Sequence, residues 1–73
     1  MIRCVGFDEC FYILKNDKTV TPVYLSTIYY DHDNIVTWLE ENCRNSVTFH
    51  CAAFMFEDSN EALLFKLRWS EYA

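Results

Sequence analysis

Glycine and proline are almost missing from this chain of 73 residues: Gly6 and Pro22 are the only ones. Linkers and disordered tails are rich in such residues, so their scarcity predicts regular secondary structure nearly throughout. One glycine also leaves no Gly-rich loop to cradle a phosphate. Basic residues are few, with six Lys and Arg against eleven Asp and Glu and a net charge of −5. Arg3, Lys15, Lys18, Arg44, Lys66 and Arg68 are scattered along the chain. An acidic chain without a basic run gains little from counterion release, so direct nucleic-acid binding and attraction to anionic membranes are not expected. Long apolar runs are also lacking. Asn45 to Phe56, the longest uncharged stretch, is broken by Ser46, Thr48 and His50, well short of the roughly 18 residues of a membrane span. Asp8 interrupts the N-terminus before the apolar core of a signal peptide can form, which leads to the expectation of a cytoplasmic protein.

Close Cys-x-x-Cys pairs are absent as well. Cys4, Cys10, Cys43 and Cys51 are therefore expected as reduced thiols and small hydrophobes, with neither disulfide nor zinc. His50 and Cys51 would face opposite sides of a strand, which argues further against zinc, and no orienting motif or strand-to-helix elbow marks a reactive thiol, so no Cys–His nucleophilic pair is expected. Asp31-His32-Asp33 reads as helix capping, because successive residues there diverge where a metal needs convergent ligands. No catalytic residue, metal site or cofactor site is predicted, and the chain is read as a non-enzyme.

What the chain has in plenty is aromatic side chains, thirteen in all. That exceeds the usual need of so small a core, so some should form a partner-binding face. Tyr and Trp near Arg are favoured at binding hot spots, which selects Tyr29, Tyr30, Arg68, Trp69 and Tyr72 as the expected protein-binding residues. The competing reading makes Trp69 a core residue.

One domain spanning 1–73 is expected. The bulky run Cys10 to Leu14 reads as a strand, followed by turn residues Asn16-Asp17-Lys18 and a second arm at Thr19-Val20-Thr21. Pro22 cannot donate to a ladder, so this arm should lie at a sheet edge. Val23 to Tyr30 stays β-prone. Ile35, Trp38 and Leu39 fall on one helical stripe over about 33–43, with Trp38 as the expected core anchor, Arg44 near the C-terminal dipole and Asn45 as stop. Ser46 to Phe56 reads as one long central strand, since neither of its faces is purely polar. Leu64 to Trp69 alternates like a strand, but Asp58-Ser59-Asn60-Glu61 has capping-box spacing and good helix formers follow it, which favours a helix. The predicted fold is α+β: a small antiparallel sheet of three to four strands, one amphipathic helix packed on it, and a C-terminal helix.

The segment Phe56-Glu57-Asp58-Ser59-Asn60-Glu61-Ala62-Leu63-Leu64-Phe65-Lys66-Leu67-Arg68-Trp69 resembles the C-terminal end of small accessory proteins of T-even-like tailed phages. The resemblance implies a strand leading into a helix, and a phage product acting in the host cytosol. It transfers no functional residue. The leading expectation is thus a small acidic protein-interaction module that binds and modulates a host factor. Two alternatives stand beside it: an acidic nucleic-acid mimic that inhibits a nucleic-acid-binding protein, and a small structural homodimer.

Overall fold

A computed structural model of the chain describes residues 1–72. The order of elements is β1 (Ile2–Cys4), α1 (Phe7–Asn16), β2 (Thr21–Tyr24), α2 (His32–Asn42), β3 (Val47–His50), β4 (Ala53–Phe56), α3 (Ser59–Arg68) and a 3₁₀ turn, Ser70–Tyr72. The four strands form one sheet in the order β1-β3-β4-β2. β3–β4 and β4–β2 are antiparallel, as expected, while β1 adds to β3 in parallel and makes the sheet mixed. The fold is α+β, with a four-stranded sheet between helices and a C-terminal helix.

Strand alternation divides the core into two layers of unequal depth. Val23, Val47, Phe49, Phe54 and Phe56 point to one face, where Ile35 and Leu39 of α2 and Ala62 and Phe65 of α3 cover them, with Trp69 just beyond. Phe54 and Phe65 meet with ring centroids 4.9 Å apart, and Phe56 and Phe65 at 5.2 Å. The other face, among the described residues, carries Met55 beneath a single helix, α1, which contributes Cys10 together with half-buried Ile13 and Leu14. One helix cannot cover four strands, so this side of the sheet stays thinly clothed.

Several expected elements are corrected. Cys10 to Leu14 is helical: Asp8 and Glu9 suit the first turn, Lys15 the last, and Cys10, Ile13 and Leu14 recur at i, i+3, i+4 toward the sheet. The bulk of those residues imitated a strand. The expected long strand Ser46 to Phe56 is a hairpin, folded at Cys51 and Ala52, and both of its arms are central. Cys51 has a φ of 50° at the first turn position, where glycine usually sits. β2 is an edge strand, as Pro22 requires, but it ends at Tyr24. From there the chain leaves the sheet, held by the amide of Leu25 on the carbonyl of Ala52 and the amide of Ser26 on that of Tyr72.

α2 begins as its capping residues require, with the Asp31 carboxylate accepting from the Asn34 amide. It ends at Asn42, ahead of the expected stop. Ile35 and Leu39 are its fully buried anchors, whereas Trp38 is only half-buried and packs against Phe65 at 6.0 Å. In α3, Asp58 caps by accepting from the Asn60 amide. Glu61 does not close the box. Its buried carboxylate accepts instead from the Arg44 amide at 2.8 Å, tying α3 to the segment after α2.

Candidate functional site

Three elements converge at the hairpin end of the thinly covered face. Gly6 breaks the chain after β1 and α1 starts beside the turn, so that Phe7, Phe11 and Leu14, spaced i, i+4, i+7, form one wall of a groove. Tyr24 and Ile28, from the end of β2 and the loop after it, form the other. His50, Cys51, Ala52 and Ala53 make the floor. The groove holds about 310 Å³, and no Asp, Glu, Lys or Arg lines it. Phe7 is 67% exposed, Phe11 58% and Ile28 59%. So much apolar area left in water, and contiguous, is the usual mark of a binding surface.

The floor is the part with chemical character. His50 Nδ1 lies 2.9 Å from the Val5 carbonyl oxygen. A carbonyl only accepts, so Nδ1 carries the hydrogen and Nε2 of the neutral ring presents a lone pair. Cys51 Sγ lies 3.5 Å from that Nε2. The positive φ at Cys51 takes it out of strand alternation and brings these two side chains together, correcting the expectation that they face apart. The Tyr30 hydroxyl donates to the Cys51 carbonyl at 2.7 Å and holds the turn from the other side. Burial, with Cys51 nearby, pushes both the Cys10 thiol and the Tyr30 hydroxyl above their ordinary ranges. Elsewhere, burial and the Glu61 carboxylate push the Cys43 thiol up to about 11.

The residues expected to form a docking face are brought together only in part. Tyr29 is 87% exposed. Tyr30 and Tyr72 are half-buried against the core, with Tyr30 edge-on to Phe54 at 5.7 Å and to Tyr72 at 6.3 Å. Trp69 is 5% exposed, which corrects the exposure expected of it: it closes the core below α3 and stacks on Tyr72. The Arg68 guanidinium lies 4.0 Å from the centre of the Trp69 ring. This cluster is a clasp that fastens the C-terminal turn to the loop before α2. Asp31 completes it by donating its amide to the Tyr72 hydroxyl at 3.2 Å.

Phe7 and Phe11 were missed because α1 was not recognised as a helix, and Ile28 because Val23 to Tyr30 was read as β-prone throughout. The i, i+4, i+7 spacing of Phe7, Phe11 and Leu14, set against the core stripe Cys10, Ile13, Leu14, was the signal that could have found them: apolar residues wrap too much of one short helix to be buried on one side. All four cysteines are free, and no group of three His, Cys, Asp or Glu side chains is placed to hold a metal among the described residues. No helix among them is long and apolar enough to cross a membrane. Comparison with protein families, with curated proteins and with solved structures returns no match.

Proposed function

We propose that this chain is a non-enzymatic protein-interaction module whose groove between α1 and the loop after β2 takes an apolar segment of another protein flanked by basic residues. The observation that carries this reading is the uncharged groove rimmed by exposed Phe7, Phe11 and Ile28. Charge selects the partner. Asp8 follows Phe7 at the start of α1. It is not paired with Lys or Arg among the described residues. A second copy of a chain with net charge −5 would bring like charge, whereas a partner carrying Lys or Arg meets complementary charge. In a phage setting, which the C-terminal segment suggests, the partner is a host factor and the module acts in the host cytosol.

The acids give less support to nucleic-acid mimicry. Glu9 is paired with Arg3 at 2.9 Å, Glu61 is buried, Glu57 accepts from the Ser46 amide, and Asp31 and Asp58 cap helices. Five of the eleven acids are committed to local structure in this way, which breaks up any phosphate track.

Affinity capture from host lysate, repeated with Phe7→Ala and Phe11→Ala, tests the reading. One stoichiometric partner should be held by the wild type, lost from both variants, and kept by Leu63→Ala on the far side of the fold. The thermal midpoint should hardly move, since substitutions at exposed positions shift stability by about 0.5 kcal/mol or less. A partner kept equally well by the groove variants would overturn the assignment. Release by DNA, with partners confined to nucleic-acid-binding proteins, would favour the mimic; self-association lost in the groove variants would favour the homodimer.

A further inference from the structure

The groove floor carries a second, independent feature. Cys51 is exposed at the tip of the hairpin, its sulfur lies 3.5 Å from Nε2 of His50, and Nδ1 of that ring lies against the Val5 carbonyl. This is the arrangement of an activated thiol: a nucleophile within reach of a base, and the base oriented by a third group. The other thiols differ in their surroundings. Cys10 lines the same groove but is buried, and Cys43 is half-buried against α3, its thiol held neutral by burial and by Glu61. Cys4 is exposed like Cys51, yet no imidazole touches it among the described residues. The space in front of Cys51 is walled by Phe7, Phe11, Tyr24 and Ile28, which suit an apolar or aromatic group.

We propose that Cys51 and His50 form a thiol-modification site that takes small disulfides bearing an apolar group. As the Cys51 thiol attacks one sulfur of R–S–S–R, His50 Nε2 accepts its proton. The new bond joins Cys51 sulfur to S–R, the original S–S bond breaks, and the departing thiolate leaves as R–SH after taking the proton from His50. Electrons balance within the exchange, since the small disulfide is the oxidant. The R group of the mixed disulfide then lies in the groove. None of this depends on a protein partner, so the site and the docking reading stand or fall separately.

The full native chain is mixed with limiting dithiodipyridine, an aromatic disulfide, and the modified positions are mapped by mass spectrometry against time. Cys51 should react at least about fivefold faster than Cys4, which is also exposed and serves as the internal control. In His50→Ala the Cys51 rate should fall by about tenfold or more while Cys4 is unchanged, and added imidazole should restore the rate at Cys51 alone, as expected of a missing base. That rescue separates a base from a residue that merely shapes the turn. Oxidised glutathione, which is anionic and has no apolar group, should show a smaller preference for Cys51. Should His50→Ala fail to fold, the wild-type ordering still decides, and Cys4→Ser must keep the fast reaction. Equal rates at Cys4 and Cys51, or a His50→Ala protein with an unaltered Cys51 rate or no rescue, would overturn the site. An undiminished preference with oxidised glutathione would overturn the apolar substrate class.

Discussion

Cys51 holds a left-handed backbone, with a φ of 50°, where a side chain crowds the neighbouring carbonyl at a cost of about 1–2 kcal/mol. Cys51→Gly should therefore raise stability by about 1 kcal/mol in urea unfolding, after allowing for the larger entropy of an unfolded chain with an extra glycine. A loss of stability would show that the contact with His50 outweighs the strain. The two tryptophans offer a second contrast at this scale. Trp69 is buried at the end of α3 and Trp38 is half-buried on α2. Trp69→Ala should cost about 3–5 kcal/mol and Trp38→Ala clearly less, since the cost follows the buried volume left empty. Equal losses would return Trp38 to the anchoring role its helical stripe suggested. Periodicity identified the buried side of α2, but it could not say which residue of the stripe lies deepest.

The helices differ in how their ends are satisfied. α2 and α3 begin with aspartates that accept backbone amides, whereas α1 starts at Gly6 without a side-chain cap. Gly6 has a φ of −77° and an extended ψ, a conformation open to any residue, and a Cβ there would meet nothing within 4 Å. Gly6→Ser should stabilise α1 by about 0.5–1 kcal/mol, through a cap and a less flexible unfolded chain. Thermal unfolding monitored by far-UV circular dichroism checks this, and an unchanged or lowered midpoint would reject it. The caps of α2 and α3 were legible because Asp, Ser and Asn announce them. α1 was not, since its start has no capping acceptor and its middle is built of bulky residues that also suit strands. The hairpin was hidden for a similar reason: its turn, Cys51-Ala52, has none of the Gly, Asn or Asp that usually mark one.

Across the whole molecule, burial gives stability a pH dependence in the alkaline range. The Cys43 thiol rises from an ordinary 9.0 to about 11, chiefly through burial and then through Glu61. A group whose pKa is raised on folding binds its proton more tightly in the native state. Its contribution is fully present below the unfolded pKa and is lost as pH climbs through the folded one. The Cys10 and Tyr30 shifts run in the same direction. Stability should thus fall between about pH 9 and pH 11, and Cys43→Ala should flatten part of that slope. Urea midpoints measured across the range would show it, and a slope identical in the variant would remove Cys43 from the account.

Composition and local pattern determined much about this protein. The aspartate caps located two helices, Pro22 placed its strand at an edge, and the mixture of periods made the fold α+β, although the scarcity of glycine and proline overstated how much of the chain lies in regular elements. Those features depend on contacts between residues near one another in sequence, which spacing reports directly. Tertiary structure alone decided that, among the described residues, α1 is the only helix on its face of the sheet, so that Phe7, Phe11 and Ile28 remain in water, and that Trp69 is withdrawn from it. It also decided the meeting of Cys51 with His50, although they are neighbours in the chain. That contact depends on one backbone angle, imposed when β3 and β4 pair and the two residues between them must close the turn. Exposure and side-chain convergence are properties of how layers stack, and a linear pattern of apolar residues is compatible with more than one stacking.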